Sequence, residues 1–168
     1  MSALGTSVTR YFHDLRTTRT QLFAFLMAAW FTGNGVTSFA INADFSMHPM
    51  HSETIHLLGF IPVTVNGWHG VFHLATGLVG LLCVRRKSTA IRYAVVTALV
   101  YIAAAAFGFI GGTSVCGMMA VDTFANWVHL TEGLLLTGIA GYGLVRDGAQ
   151  RSSTAANSGL AHTVRSER

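Results

Sequence analysis

Long apolar segments alternate with polar stretches along the chain. A helix needs about 20 predominantly apolar residues to cross a bilayer. Four segments meet that length, and they cover residues 21–41, 66–84, 89–111 and 123–145. The stretches outside these segments, at the two ends of the chain and between the spans, contain most of the charged residues. The alternation therefore predicts an all-α integral membrane protein, a four-helix bundle in contact with the lipid bilayer.

The positions of the charged residues predict which way the spans run. Lys and Arg occur before the first span, between the second and third spans, and after the fourth, whereas the other two loops hold acidic residues and no Lys or Arg. Short loops rich in Lys and Arg remain on the cytoplasmic side of a membrane. Both termini are thus predicted to be cytoplasmic, with the spans arranged as two tandem helical hairpins. The net charge of +4 is a topology signal, and nucleic acid is not an expected partner.

The same pattern divides the chain into three parts. Residues 1–20 form a cytoplasmic N-terminal segment, and residues 21–145 form the four-span transmembrane domain. Residues 146–168 are rich in Ser, Ala and Gly, and a segment of that composition cannot bury enough apolar surface to fold alone. We expect a disordered cytoplasmic tail there.

Two of the predicted spans begin with the same polar pattern. Asn66 and His69 begin the second span, and Asn126 and His129 begin the fourth. Both spans run inward from the outer face in the predicted topology, so the two patterns should lie at similar depth. An Asn side chain accepts hydrogen bonds from the free N–H groups of a first helical turn. Asn66 and Asn126 are therefore predicted helix caps, and Asn34 of the first span is expected to join the same polar network.

Ionisable side chains continue these patterns into the apolar spans. His73 follows His69 by four residues and shares its helix face, and Glu132 follows His129 by three. Such groups are costly inside a membrane and usually face a cavity or a partner. Imidazoles and carboxylates bind transition metals, so these four residues form a candidate metal site, with haem b as another possible cofactor. A buried hydrogen-bond network that locks the helices together is the simpler interpretation.

The loop after the first span holds further histidines. His48, His51 and His56 lie within nine residues of one another. They could bind a metal ion, but histidines in an exposed loop are more often solvated or respond to pH near neutrality. We treat them as weaker metal candidates.

Two sequence phrases resemble a known family. They are NGWHGVFHLATGLVGL, which begins at Asn66, and NWVHLTEGLLLTGIAGYGL, which begins at Asn126. Both are similar to the bacterial, largely actinobacterial, membrane proteins grouped as domain of unknown function 4383. The residues that match the family pattern are Asn66, Trp68, His69, His73, Gly77, Asn126, Trp127, His129 and Gly133. The resemblance implies four spans and no particular activity, and the family usually has an apolar residue where this chain has Glu132.

The motifs of common hydrolases and nucleotide-binding proteins are absent: the chain has no GxSxG, HExxH or phosphate loop. We therefore predict a small, non-enzymatic, multi-pass protein of the bacterial inner membrane with a structural or regulatory role. A second copy of the chain or another membrane protein is a possible partner. The alternatives are a redox protein that binds metal or haem through His69, His73 and His129, and a small proton-coupled carrier.

Overall fold

The protein is predominantly helical, as the sequence predicts. The computed structural model describes residues 9, 11 and 18–166, with side chains described as far as residue 146. In that part of the chain the helices are α1 (Arg19–Ile41), α2 (Gly67–Cys83), α3 (Lys87–Gly111) and α4 (Thr123–Ser166). Helices α1 and α3, and α4 as far as Arg146, are long and apolar enough to cross a membrane, whereas α2 has only 17 residues.

The helices pack as two hairpins. Helix α1 lies along α2 and α3 lies along α4, and contacts between the two pairs are sparser. The close approach within the first pair depends on Gly77 of α2. A methyl group there would overlap the backbone of α1 at Thr32 and Ala28. Small residues of this kind let two membrane helices approach closely.

Small and aromatic side chains fill the space between the helices. Phe31 of α1 and Tyr101 of α3 are fully buried, and their rings stack with centroids 4.4 Å apart. Alanines occupy much of the remaining core: Ala24, Ala28, Ala90, Ala94 and Ala98. Many Leu, Val and Phe side chains face outward instead. Such an apolar exterior suits a protein surrounded by lipid.

Two β-hairpins, which the sequence analysis does not predict, connect helices in the described part of the chain. The strands are β1 (Glu53–Leu57), β2 (Ile61–Val65), β3 (Ser114–Val115) and β4 (Met119–Ala120). β1 pairs antiparallel with β2, and β3 with β4. Leu58 and Gly59 turn the first hairpin with φ of +54° and +83°, the left-handed conformations that tight hairpin turns use.

The two Asn-to-His patterns begin their helices differently. Asn66 caps α2, because its side-chain oxygen accepts a hydrogen bond from the backbone N–H of His69 at 3.1 Å. Helix α4 begins three residues before Asn126, and Asp122 caps it by accepting a first-turn N–H at 2.7 Å. The prediction that Asn126 is a cap is therefore wrong, since the acidic side chain of Asp122 supplies an acceptor one turn earlier. Asn126 is instead buried within α4, against Gly108 of α3.

Helix α4 extends past the predicted end of the fourth span at Val145. Its backbone is helical to Ser166, through most of the segment 146–168 for which composition predicts disorder.

A three-histidine cluster as candidate metal centre

His69, His73 and His129 meet between the helices, and all three are buried. The Nε2 atom of His73 lies 3.1 Å from Nε2 of His69 and 3.4 Å from Nε2 of His129. One ring nitrogen of each residue can be chosen so that all three atoms lie within 4.8 Å of one another. Helices α2 and α4 thus bring the histidines of the two sequence patterns to a single point.

The second ring nitrogen of His69 is held by the β3–β4 hairpin. Its Nδ1 atom lies 2.8 Å from the carbonyl oxygen of Ala120, and because a carbonyl can only accept, Nδ1 carries the proton. Asn66 fixes this hairpin in turn. Its side chain accepts from the N–H of Ala120 at 3.2 Å and donates to the carbonyl of Met118 at 2.7 Å. The cap of α2 therefore also positions the partner of His69.

The second ring nitrogen of His73 contacts a buried tyrosine. Its Nδ1 atom lies 3.0 Å from the hydroxyl of Tyr101 on α3. That hydroxyl lies 3.0 Å from the hydroxyl of Thr76, which in turn donates to the carbonyl of Phe72 at 2.9 Å. A chain of polar contacts thus runs from the cluster back to the backbone of α2.

His129 and Glu132 each keep one polar atom without a partner in the described part of the chain. These atoms are Nδ1 of His129 and Oε2 of Glu132, and both are buried. The other carboxylate oxygen of Glu132 accepts a hydrogen bond from the indole N–H of Trp30 at 2.6 Å. Glu132 does not belong to the group of converging ligand atoms. Sequence reasoning did not single out Trp30, since no local pattern reveals a partner 102 residues away.

Aromatic rings surround the three imidazoles. The ring of Phe31 lies 5.9 Å from that of His73, and the ring of Phe72 lies 5.7 Å from that of His129, between centroids. Tyr101 lies 5.7 Å from both of these histidines. An apolar shell of this kind restricts water and fixes the orientation of potential ligands.

A cavity of about 350 Å³ reaches the cluster between α1, α4 and the β1–β2 hairpin. The three histidines line one side of it. Asn34 lies in its wall, with Thr37 and Ser38 of the same helix. Apolar side chains of the hairpin cover it: Ile55, Leu57, Val63 and Val65. The cluster therefore borders a space beneath the hairpin that is large enough for a small molecule.

The histidines of the first loop lie apart from this cluster. His48, His51 and His56 are exposed, and His51 contacts the carboxylate of Asp44 at 3.1 Å. Among the described residues, the group of three or more converging metal ligands is the one formed by the histidines of α2 and α4.

Four helices packed as two hairpins, with three of membrane-spanning length and histidines buried between them, define a small helical membrane protein. The chain belongs to the family described as Domain of unknown function (DUF4383), whose model matches residues 21–142. This match confirms the resemblance carried by the two Asn-to-His phrases. No curated protein and no solved structure matches the chain.

Proposed function

We propose that the protein is a metal-binding membrane protein that holds one transition-metal ion, of the zinc or copper type, between His69, His73 and His129. The convergence of their three Nε2 atoms carries the proposal. Imidazole nitrogens suit both metals. The role would be non-enzymatic, with the ion either stabilising the contact between the two hairpins or serving as a sensor of metal supply.

Two of the three separations between the ring nitrogens match a coordination sphere. A tetrahedral Zn²⁺ ion with Zn–N bonds of about 2.05 Å spaces its ligands about 3.3 Å apart. The two measured Nε2–Nε2 distances, 3.1 and 3.4 Å, bracket that value. The ligand atoms of all three side chains lie within 4.8 Å of one another, and closure of these side chains around one ion would leave a fourth position facing the cavity.

The hydrogen bonds behind the cluster also suit a metal site. Metal-binding histidines usually donate their other ring N–H to a carbonyl, carboxylate or similar acceptor. Nδ1 of His69 donates to Ala120 in this way. If Thr76 gives its proton to the carbonyl of Phe72, the hydroxyl of Tyr101 can donate to Thr76 and accept from Nδ1 of His73. Both Nε2 atoms then present lone pairs to the centre.

Proton counting shows why a cation fits the cluster. Nε2 of His73 lies near Nε2 of both His69 and His129, and a single N–H bond there can point at only one of them. With the protons of His69 and His73 on their Nδ1 atoms, the two Nε2 atoms, 3.1 Å apart, meet lone pair to lone pair, which is repulsive in a buried site. A metal ion removes this repulsion by accepting all three lone pairs at once.

The same geometry does not favour haem. A bis-histidine haem needs two imidazoles on opposite faces of a planar ring, whereas these imidazoles contact one another directly. The proton-coupled carrier has no observation in its favour beyond the buried Glu132. The competing role is a purely structural one, in which hydrogen bonds between the histidines hold the two hairpins together.

The charge pattern supports the placement of this site in a bacterial inner membrane. In the proposed topology all four helices span the bilayer, both termini are cytoplasmic, and the β-hairpins lie on the outer face. Helix α2 has 17 residues, the lower end of the length needed to span. His69 lies three residues after the cap of α2, so the metal would be held in the outer half of the membrane.

The test is the metal content of the full chain purified in detergent. Protein loaded with Zn²⁺ or Cu²⁺ and then desalted should retain about one ion per chain by elemental mass spectrometry. His73→Ala should lose that ion, since His73 lies between the other two ligands. His51→Ala and His56→Ala, which change exposed loop histidines, should retain it.

Two outcomes would contradict the metal site. Wild-type protein that retains no ion after loading would leave only the structural role. Retention by His69→Ala, His73→Ala and His129→Ala alike would show that any bound metal lies elsewhere. A drop in thermal stability of these variants, without any metal in the wild type, would support the hydrogen-bond network instead.

A further inference from the structure

An apolar groove lies beside the cavity at the histidines. It has a volume of about 410 Å³ and runs between α1 and α4, from Met27 and Trp30 to Leu135. Trp30, Phe124 and Val128 line both the groove and the cavity, so the two spaces are adjacent, and we call their boundary at these three residues the neck. Trp30 and Trp127, on either side of the groove, are 54% and 57% exposed, which leaves it open toward the lipid.

We propose that a single-chain lipid with an uncharged hydroxyl head binds across this neck. Its head would occupy the cavity at the histidines, and its chain would follow the groove out into the bilayer. The inference deepens the proposed function and rests on it in one respect: the hydroxyl would lie at the coordination position that the three histidines leave open.

The size and polarity of the two spaces support such a ligand. Each falls within the range of about 300–1,000 Å³ that small-molecule sites occupy. The groove is lined almost wholly by apolar and aromatic residues, whereas the cavity carries three histidines together with Asn34, Thr37 and Ser38. A mainly apolar cavity that carries these six polar side chains, beside an apolar groove, matches a molecule with a small polar head and a hydrocarbon chain.

The charges around the two spaces select the head. No Lys or Arg lines either one, and Glu132 is the charged residue in the groove. A carboxylate or phosphate head would meet Glu132 without a cationic partner. An ammonium head would suit Glu132 but would be repelled by a metal ion at the histidines. A hydroxyl both donates and accepts hydrogen bonds, so it suits either environment.

Glu132, which lines the groove, also has a buried polar atom without a partner in the described part of the chain. Glu132 is 4% exposed, its Oε1 atom is bound by Trp30, and its Oε2 atom has no partner in the described part of the chain. Buried polar atoms are normally paired, and an exception calls for an explanation. On the route from the groove to the cavity, a hydroxyl head can donate to this oxygen, whereas an ionised carboxylate head cannot.

Photolabelling tests the proposal on the purified full chain. The probe is a 12-carbon alcohol with a diazirine in its chain, and peptide mass spectrometry locates the label. We expect labelling of α1 around Trp30 and of α4 between Phe124 and Leu135. Dodecanol should compete at least about tenfold more strongly than dodecanoate or dodecylamine. Labelling spread over the outer surface of all helices, or equal competition by the three compounds, would overturn the proposal.

A matched pair of substitutions tests the route. Val128→Trp would fill the neck and should lower labelling about tenfold. Leu134→Trp places the same side chain on an exposed position of the same helix, outside both linings, and should leave labelling unchanged. Equal labelling of the two variants would overturn the proposed route. If Val128→Trp fails to fold, as judged by thermal unfolding, the position of the label in the wild type decides.

Metal content measured on the same samples separates this inference from the metal site. Selective alcohol labelling at the neck without retained metal would support the lipid site and refute the metal centre. Retained metal without selective labelling would support the metal centre and refute the lipid site. Stronger labelling after metal loading is the result expected if the hydroxyl lies beside the ion.

Discussion

His73 of α2 and His129 of α4 face each other with their Nε2 atoms 3.4 Å apart, although 56 residues separate them and they belong to different helical hairpins. Contacts between the two hairpins are otherwise sparse compared with those inside each hairpin. This pair therefore joins the two halves of the protein at the cluster. The contacts that orient the two residues should affect both metal binding and the stability of the whole fold.

Loss of the Asn66 side chain should destabilise the protein strongly. Asn66→Ala removes the cap of α2 and leaves the N–H of Ala120 and the carbonyl of Met118 without their partner. A lost cap costs about 1 kcal/mol, and the buried N–H of Ala120, left unpaired, adds about 1–3 kcal/mol, whereas Met118 is exposed and its carbonyl can accept from water. We expect a decrease of about 2–4 kcal/mol in the free energy of unfolding, measured by denaturant titration in mixed micelles.

Asn66→Ser provides the matched control. Serine is a good cap, but its side chain is too short to reach both backbone groups of the β3–β4 hairpin. The variant should recover roughly 1 kcal/mol of the loss and no more. Full recovery would show that the contacts with the hairpin contribute little.

The hydroxyl of Tyr101 should matter more for metal affinity than for stability. Tyr101→Phe keeps the ring that stacks on Phe31 and removes the contact with Nδ1 of His73. Loss of such an outer contact typically costs about 10–100-fold in metal affinity, whereas the hydrogen bond itself contributes about 1 kcal/mol to folding. Competition titration with a zinc chelator measures the affinity.

Tyr93→Phe tests whether the loss of metal affinity is specific to the hydroxyl of Tyr101. Tyr93 is a buried tyrosine of the same helix, but it packs against Gly80 of α2 and not against a histidine. Its substitution should leave metal affinity unchanged. An equal loss in both variants would mean that the hydroxyl of Tyr101 does not act through His73.

A methyl group at Gly77 should separate α1 from α2. Gly77→Ala places a Cβ atom against the backbone of α1 at Thr32, and overpacking of this kind costs about 1–3 kcal/mol. Gly138 of α4 has nothing within 4 Å of an added Cβ. Gly138→Ala should therefore be neutral or stabilising by about 0.5–1 kcal/mol. Thermal unfolding in detergent distinguishes the two, and equal melting temperatures would contradict the close approach.

The carboxyl of Asp44 should remain ionised to unusually low pH. Hydrogen bonds from the side chain and backbone of Ser46, with a further one from His51, hold the pKa of Asp44 below its usual value. Since the folded-state pKa is lowered, this stabilisation of the loop is present above the ordinary pKa of Asp. This stabilisation is lost as the pH falls through the lowered pKa of Asp44.

Carbon-13 NMR of the Asp44 carboxyl measures this pKa directly. Ser46→Ala removes the hydroxyl, the largest cause of the shift, and should raise the pKa of Asp44 toward its usual value. His51→Ala should raise it less. A wild-type midpoint at or above the usual value for Asp would contradict the hydrogen bonds of this loop.

The sequence predicts the all-α class and the helix positions because long apolar runs and clustered basic residues are strong signals. The sequence also predicts that His69, His73 and His129 lie close together. The reason is that two helices with the same Asn-to-His spacing at their start, running in the same direction, hold these residues at equal depth. The backbone carbonyl that binds His69 lies in a loop without a distinctive motif. Its role could not be predicted from local sequence.

The missed features were of two kinds. The β1–β2 hairpin had a local signal, the β-favouring residues Ile55, Val63 and Val65 on either side of Leu58-Gly59, but the histidines that precede it made the segment resemble a loop. The cap at Asp122 also had a local signal, an acidic residue directly before a helix. The pairing of Trp30 with Glu132 had none, because it arises only from the packing of α1 against α4.

Helix α2 is the shortest of the four, and at 1.5 Å per residue its 17 residues span about 25 Å. The hydrocarbon core of a typical bilayer is about 30 Å thick. If α2 spans the bilayer as proposed, the membrane would accommodate so short a segment by thinning around it, and headgroups would come closer to the histidines on this side of the protein than elsewhere. Acyl-chain length would then act on the site, because a thicker membrane would strain the first turn of α2, where Asn66 and His69 lie.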